Sequence, residues 1–512
     1  MNFADLFRVT LPLTVLEVMT LVVLVVDLGL LRKATNQVRV TAAALIGIVG
    51  CGVAMMMIPL HAQGGLIYPG TSDIVLAAGG SAAVAQAGIL GLTILTLFLL
   101  IDSTFTRHPG EFVAIVLTSA AGGMLIAAAQ DLIVIFIGLE LLSLGLYILT
   151  AFAKRSGKSA EAAMKYYLFG GMSAAFLLFG FSYLYGFAGS TNLRQIMFSM
   201  YGPNAIQASP LLYVALVMIA AGLGFKVAAV PFHLWAPDTY EGAPIPSAAF
   251  IASVSKVASF ALLISIGTAA LHVFAPGTRV AFLVANGDVP RWLGFRGPWS
   301  MTLMLLAVAS MVFGNLVALA QNSVRRLLAY SAIAHAGYML LGLAFYSYSP
   351  ASANAILYYI LTYGLTTIGA FGVIAVVERA TGSDRMDSFA GLHKRNPVLA
   401  VVLLLLFLSL AGIPPLVGFW AKFNLFAAVL SVNHSGTAIG LVALAVAMSA
   451  VSLYYYLQVL KRAYVVPAVD ETRIAVHPVI LTVLVLIAAA VVVLGCFPAL
   501  LQNWMASFYT TM

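Results

Sequence analysis

Charge is what this 512-residue chain has least of: Asp, Glu, Lys and Arg make up 8% of it, against about 25% in a soluble domain. That excludes an ordinary water-soluble fold. Cysteine is nearly missing too. Cys51 and Cys496 stand far apart with no CxxC spacing, so neither a disulfide framework nor a zinc or iron–sulfur site is encoded. No linker or low-complexity stretch divides the chain, and the alternation of apolar and polar residues over about 10 positions that marks a membrane β-barrel is absent. What is present is apolar: 62% hydrophobic residues and a mean hydropathy of +1.05. The class is an integral membrane protein built of helices.

Apolar blocks near the 20 or so residues needed to cross about 30 Å of hydrocarbon fall at 11–31, 38–60, 84–104, 111–129, 131–152, 160–187, 209–230, 245–273, 300–320, 324–346, 353–379, 397–430, 436–463 and 477–502. The expected fold is therefore all-α and polytopic, with about fourteen transmembrane helices. The first block carries Glu17 and Asp27 and lacks a basic leader and a cleavage site, so it is expected to be a retained span rather than a signal peptide.

Against this background four lysines, Lys165, Lys226, Lys256 and Lys422, and one carboxylate, Glu140, fall inside spans. Placing a charge at the bilayer centre costs at least about 2.5–3.5 kcal/mol, which makes such residues candidates for ion paths and proton relays. Glu140 is followed at helical spacing by Ser143 and Tyr147, and Lys256 lies between Ser253 and Ser259. Structural hydrogen bonding explains the hydroxyls but not the charges. Lys226, Lys256 and Lys422 are too deep to snorkel, whereas Lys165, about two turns into its helix, can reach the interface. On the tenth span His335 lines up with Ser331 and Tyr338, and on the eleventh Tyr358, Thr362 and Thr366 make a similar stripe. Such a stripe alone is often helix–helix glue; here it would join the lysines into one chain. His61, His393 and His434 fall in loops and are given no role, and Met55, Met56 and Met57 are read as packing or lipid-facing residues.

Two segments echo each other, AGLGFKVAAVPFHLW from Ala221 and AGIPPLVGFWAKF from Ala411. Each joins Ala-Gly, Gly-Phe, proline and a lysine, the composition of a helix broken at membrane depth. Unwound backbone survives there only where it lines a polar cavity, and paired interrupted helices mark a transporter's site. Chance kinks in two ordinary helices are the plainer reading. The segments lie five helices apart, which predicts two five-helix repeats, the second inverted because the repeat is odd. The predicted organisation is an N-terminal three-helix segment (1–110), a first half-channel (111–273), a second, inverted one (300–463) and a C-terminal helix (464–512).

A glutamate beside a buried lysine makes a usable switch. At about 6 Å and an effective dielectric of about 20, the carboxylate favours the ammonium by roughly 2.8 kcal/mol. Separating the pair expels a proton and restoring it reloads one, which arginine could not do.

At these residues the chain resembles the antiporter-like membrane subunits of respiratory complex I, the proton-translocating NADH–quinone oxidoreductase, and most closely those called subunit N. The resemblance covers nearly the whole chain. It is carried by GLELLSLGLYIL around Glu140, KYYLFGG from Lys165, GFKVAAVPFHLWAPDTYEGAP from Gly224, FIASVSKVASF around Lys256, NSVRRLLAYSAIAHAGYM from Asn322 and AGIPPLVGFWAKF. It implies a fourteen-helix core with two inverted repeats and two discontinuous helices. Glu140 and Lys226 would form the coupling pair, Lys256 the central relay and Lys422 the end of the second half-channel, with Lys165, His233 and His335 as secondary relay positions. The sister subunit M carries a glutamate where Lys422 stands, and the long lateral helix of subunit L is not expected after residue 512. The resemblance also implies no cofactor in this chain, with NADH, FMN, iron–sulfur clusters and quinone in partner subunits. The partners would be the other membrane-arm subunits and the lipid bilayer, with protons as cargo and no nucleic acid. An Mrp-type sodium/proton antiporter subunit shares the fold and the Glu–Lys pair, and a non-transporting scaffold would leave the membrane charges unexplained.

Orientation follows from the basic loops, since cytoplasmic loops collect Lys and Arg. With the N-terminus outside, sixteen of the 25 basic residues fall in inner loops, from Arg32 to Arg473, and five outside, namely Arg8, Arg194, Arg279, Arg291 and Arg296. Only the outer loop 274–299 runs against the rule. A bacterial inner-membrane protein with both termini in the periplasm is expected. A membrane-impermeant thiol reagent should therefore reach Asp5→Cys and Thr510→Cys from outside in intact cells; protection of both until lysis would reverse the topology.

Overall fold

A computed structural model describes residues 3–58, 65–67, 74–201, 210–273, 296–346, 351–432, 436–468 and 470–510. His61, His434, Arg279, Arg291 and most of the 274–299 loop lie outside the described residues. Helices α1 (Phe3–Val25), α2 (Asn36–Met57), α3 (Gly80–Leu100), α4 (Pro109–Ala128), α5 (Leu132–Thr150) and α6 (Gly157–Ala188) run in sequence. The short α7 (Leu193–Tyr201) precedes α8 (Pro210–Val227), the short α9 (Trp235–Gly242) and the long α10 (Ile245–Val273). Then come α11 (Arg296–Ala318), α12 (Val324–Tyr346), α13 (Ala351–Thr381), α14 (Pro397–Ala411), α15 (Val417–Val432), α16 (Gly436–Tyr464), α17 (Pro478–Cys496) and α18 (Ala499–Thr510). Thirteen helices among the described residues are long and apolar enough to cross a membrane. The α14–α15 pair supplies the remaining crossing in two pieces, so the fourteen expected spans are all accounted for.

Burial orders these helices. In α10, α12 and α13 the most apolar windows are 100%, 94% and 89% buried, whereas in α1 and α16 they are 22% buried. The three central helices thus see protein on every side, and the outer ones turn apolar faces to their surroundings. Because lipid gives apolar side chains no incentive to associate, close packing depends on small residues. Between α4 and α5 the backbones approach so nearly that a Cβ at Gly122 would lie 2.6 Å from the Leu142 nitrogen.

Several elements were not anticipated. Strands Gly65–Ile67 and Ile74–Ala77 pair as a small antiparallel hairpin; three- and four-residue strands leave no readable alternation. The amphipathic α7 and the buried α9 were also missed, being too short to show as apolar blocks. The last expected span, 477–502, is two helices, α17 and α18. Pro498 sits at the junction, and a proline supplies no N–H to continue the helix.

The first span ends in a π turn, Val26–Leu30, holding the buried Asp27. Its carboxylate accepts both Arg39 Nε and Nη2 at 2.7 Å and the Gly110 N–H at 3.1 Å, tying α1, α2 and α4 together. A carboxylate this deep is tolerated because its charge is matched and its oxygens are satisfied. Asp27→Ala leaves the Arg39 guanidinium without its counter-charge. It should destabilise the solubilised protein by about 3–5 kcal/mol, read as a large fall in melting temperature; an unchanged melting curve would show the pair to be incidental.

Candidate functional site

Both interrupted helices are present, and each puts a lysine at a break. The first half-helix, α8, carries Lys226 in its last turn and ends where Ala228 adopts a left-handed φ of 60°. The Trp235 indole N–H returns to the Phe225 carbonyl at 2.9 Å, and the Val230 N–H is taken by Ser310 Oγ at 2.9 Å. In the second half α14 stops at Gly412, with φ 89°, a conformation glycine adopts without steric cost. The Lys422 ammonium then donates to the Leu410 and Ala411 carbonyls at 3.1 and 2.9 Å and to Ser449 Oγ at 2.8 Å. The last carbonyls of a helix lack backbone partners and carry the negative end of its dipole. A cation placed there meets both needs.

The centre of the molecule holds a polar cluster inside otherwise apolar packing. The Lys256 ammonium donates to the Ala332 carbonyl at 2.6 Å and lies 5.6 Å from the centre of the Tyr363 ring. One turn along α12, His335 shares a 2.8 Å hydrogen bond between Nδ1 and the Tyr359 hydroxyl, with Tyr456 OH 3.4 Å from Nε2. Tyr456 in turn bonds Ser331 Oγ at 2.5 Å. Toward Lys422, whose ammonium is 5.4 Å from the Tyr338 ring centre, Asn315 donates to Tyr338 OH at 3.0 Å and accepts from Tyr455 OH at 3.1 Å. The His335 ring centre lies 4.9 Å from that of Tyr363 and 5.9 Å from that of Tyr338, the rings beside Lys256 and Lys422. Lys256, His335 and Lys422 are almost fully buried.

The predicted pair is less direct. Lys226 donates to Ser143 Oγ at 2.6 Å, and Glu140 acts on it electrostatically without an ion pair among the described residues. Ser143 Oγ in turn donates to the Leu139 carbonyl of its own helix at 2.5 Å. Glu140 and Lys226 are both only partly buried. Along α5, Ile133, Ile137, Leu144 and Ile148 are 58%, 54%, 51% and 51% exposed, so Glu140 sits at the edge of an outward apolar face.

Two other expected positions are not joined to the central cluster. Lys165 pairs with Glu161 and Asp238, each at 2.7 Å, and Asp238 also binds Arg326 at 2.7 Å. Arg326 reaches Glu241 at 3.1 Å and Lys158 reaches the same carboxylate at 3.2 Å. This ion cluster ties α6, α9 and α12 at one membrane face. His233 is buried against the Phe313 ring at 4.8 Å, and its Nδ1 has no hydrogen-bond partner among the described residues.

The sequence stripe on the eleventh span is out of phase by one residue. The residues that meet His335 and Lys256 are Tyr359 and Tyr363, whereas the Thr362 and Thr366 hydroxyls bond their own helix at Tyr358 O and Thr362 O and the Tyr358 hydroxyl has no hydrogen-bond partner among the described residues. Asn315, Tyr455 and Tyr456 were missed as well. Mid-span asparagine on an apolar helix was the one available signal; tyrosines are too common in membrane helices to stand out.

With this geometry in place, comparison with known proteins gives a consistent answer. The family model described as NADH:quinone oxidoreductase/Mrp antiporter, TM, matches residues 129–285 and 278–451. NADH-quinone oxidoreductase subunit N 2 of Acidobacterium capsulatum is 46% identical over 98% of this chain and 99% of its own length. The chain belongs to this family. Subunit N 1 of Roseiflexus castenholzii is 41% identical over 83% of this chain and 78% of that protein. A chain of respiratory complex I from Thermus thermophilus superposes with a TM-score of 0.75 at 32% identity, covering 96% of this chain and 98% of that one. A chain of the Mrp complex from Dietzia has a TM-score of 0.77 over 98% and 97% of the two chains, but at 20% identity it shares the fold alone. As a family member the chain is a multi-pass membrane protein of the antiporter-like fold, as the motifs implied.

Asp238 permits a signed pH test, because it lies between spans. Burial pushes its carboxyl up, but the ion pairs to Lys165 and Arg326 outweigh this and hold it below the ordinary value. A depressed carboxylate stabilises the fold above its unfolded value of about 4, and that contribution fades as pH falls through the lower folded value. Asp238→Asn should lower the melting temperature by roughly 1–2 °C at neutral pH, the modest effect of a partly exposed pair. The gap to wild type should narrow in acid; a gap independent of pH would remove the ion pair as its cause.

Proposed function

We propose that this chain is a proton-translocating membrane-arm subunit, subunit N, of an NADH–quinone oxidoreductase. It couples quinone reduction elsewhere in the complex to proton movement through a Glu/Lys/His relay at mid-membrane. The observation that carries the reading is the buried cluster of Lys256, His335 and Lys422, in which the imidazole is flanked by the Tyr363 and Tyr338 rings that lie beside the two ammoniums, in a chain 46% identical over 98% of its length to a subunit of that name. In this reading Glu140 and Lys226 are the coupling pair, Lys256 is the central carrier, and Lys422 ends the second half-channel. His335 sits between the two deep lysines, while Lys165 and His233 serve beside the path. Residues 111–273 and 300–463 act as its two half-channels, flanked by the N-terminal segment 1–110 and the C-terminal 464–512.

The chemistry of oxidation belongs to partner subunits, which hold NADH, FMN, iron–sulfur clusters and quinone. This chain contributes titratable groups and a low-dielectric surround. The position of Glu140 supports a packed neighbour: a carboxylate at the edge of a lipid-exposed face would be costly, whereas a second membrane-arm subunit laid over α5 completes its burial. The protein resides in the bacterial inner membrane with both termini periplasmic, which agrees with its basic inner loops.

Glu140→Ala removes the charge that favours a protonated Lys226. Proton pumping by the assembled complex should collapse, and coupled quinone reduction with it, while electron transfer to a soluble acceptor survives. Glu140→Asp should keep much of the activity. Full assembly of Glu140→Ala with a normal proton-to-electron ratio would reduce this carboxylate to a structural group and defeat the coupling scheme.

A further inference from the structure

The outward side of α1 carries a carboxylate for which the described residues supply no counterpart. Glu17 lies within the apolar span Val9–Leu30, about 12 Å along the helix axis from one end of that span and about 20 Å from the other, at roughly 1.5 Å per residue. It is exposed, and Val18, Leu21, Val25 and Leu28 on the same side are each more than half exposed. Leu16, Thr20, Val23 and Asp27, on the other side, are buried where α1 packs on α2 and α4. The outward face is thus an apolar stripe with one acid in it.

Asp27 shows how a membrane-embedded carboxylate is satisfied on this same helix. It turns inward and takes the Arg39 guanidinium and the Gly110 N–H. Glu17 has no such match, because no hydrogen bond, ion pair or neighbouring charge reaches it among the described residues. The hydroxyls three residues to either side are already committed: Thr14 Oγ1 donates to the Thr10 carbonyl at 3.0 Å and Thr20 Oγ1 to the Leu16 carbonyl at 2.9 Å. A hydroxyl has only one hydrogen to give.

Lipid cannot meet the need either. Acyl tails offer no donor, and a carboxylate facing hydrocarbon is costly. Lysine and arginine can snorkel to the interface on long stems, but the short arm of a glutamate does not cover about 12 Å of helix. The neighbouring helix meanwhile leaves room. α1 and α2 are antiparallel, with Gly50 so close to Met19 that a Cβ there would lie 2.8 Å from the Met19 side chain. Two residues further along α2, Gly52 therefore falls at the depth of Glu17, and a Cβ on Gly52 would meet nothing within 4 Å. A small residue with open space beside it lets another helix approach closely.

We propose that the α1–α2 face around Glu17 and Gly52 seats a transmembrane helix of another subunit, and that this helix carries a lysine or arginine that pairs with Glu17. The cation would do for Glu17 what Arg39 does for Asp27, matching its charge and donating to its oxygens. A second copy of this chain does not fit, since a twofold contact through α1 would set Glu17 against Glu17. The proposal rests on the membrane-arm reading above in taking the helix from a subunit of the same assembly.

The test uses the assembled complex carrying Leu21→p-benzoylphenylalanine in an otherwise wild-type chain, irradiated and mapped by mass spectrometry. The linked peptide should be a membrane span of one other subunit that contains a lysine or arginine. Adding Glu17→Leu should cut the yield of that link about tenfold, the effect of weakening the contact by about 1.4 kcal/mol, and Glu17→Lys should abolish it. Combining Glu17→Lys with a change of the partner's basic residue to glutamate should restore the link; a merely structural Glu17 would not respond to the partner's charge. If Glu17→Lys prevents assembly, Glu17→Gln, which keeps the shape and removes the charge, is read through the same yield. Links to phospholipid alone in a complex with every subunit present, or a linked span without a basic residue, would overturn the docking and leave the membrane-arm reading standing. A chain that co-purifies with no quinone-reducing subunits would overturn that reading, and the docking with it.

Discussion

The arrangement depends on setting an ammonium at the carbonyl end of an interrupted helix. A continuous transmembrane helix has its mid-depth carbonyls already paired along the helix, so it offers a lysine only a shared acceptor there. Interrupting the helix creates both the unpaired carbonyls and the space beside them. Lys422 uses them directly, through Leu410 and Ala411. Lys226 sits on the last turn of its own half-helix and reaches across to Ser143 instead. Lys256 belongs to an unbroken helix and finds one carbonyl, that of Ala332, on a neighbour. Each site holds the proton with neutral dipoles rather than a tight salt bridge. That is what a carrier needs, since a lysine locked to a carboxylate would not release its proton.

The burial gradient explains why this is affordable where it occurs. α10, α12 and α13 are nearly enclosed by protein, so Lys256, His335 and their tyrosines never meet lipid. Hydroxyl and imidazole groups from different helices then satisfy one another, and the low dielectric strengthens each bond while penalising any that is missing.

Much of this was legible in the sequence, because charge is scarce in an apolar chain. Glu140, Lys226, Lys256 and Lys422 stood out at once, and Gly-Pro punctuation located both broken helices. The fourteen crossings followed from length alone. Phase was harder. A stripe of Tyr358, Thr362 and Thr366 and one of Tyr359 and Tyr363 differ by 100° of helix rotation, and what chooses between them is how α13 packs on α10 and α12. No local pattern on α13 records that. The ion cluster of Lys165, Asp238, Arg326 and Glu241 was hidden for a related reason: its members come from three separate helices and meet only after folding. Short elements such as α7, α9 and the hairpin lack the length that makes an apolar block visible.

That ion cluster and the buried Arg325 also join α9 to α12 and α13. α9 follows the break that carries Lys226. Arg325 and Arg326, on α12, hold α9 through the Tyr240 carbonyl, Asp238 and Glu241, and Arg325 extends the link to Glu378 on α13. Seven residues further along α12 lies the Ala332 carbonyl that holds the Lys256 ammonium, followed within one turn by His335. A closely packed helix transmits displacement with little loss. In the proposed relay, a shift of the broken helix beside Lys226 would therefore reach the Ala332 carbonyl and His335 through these packed contacts.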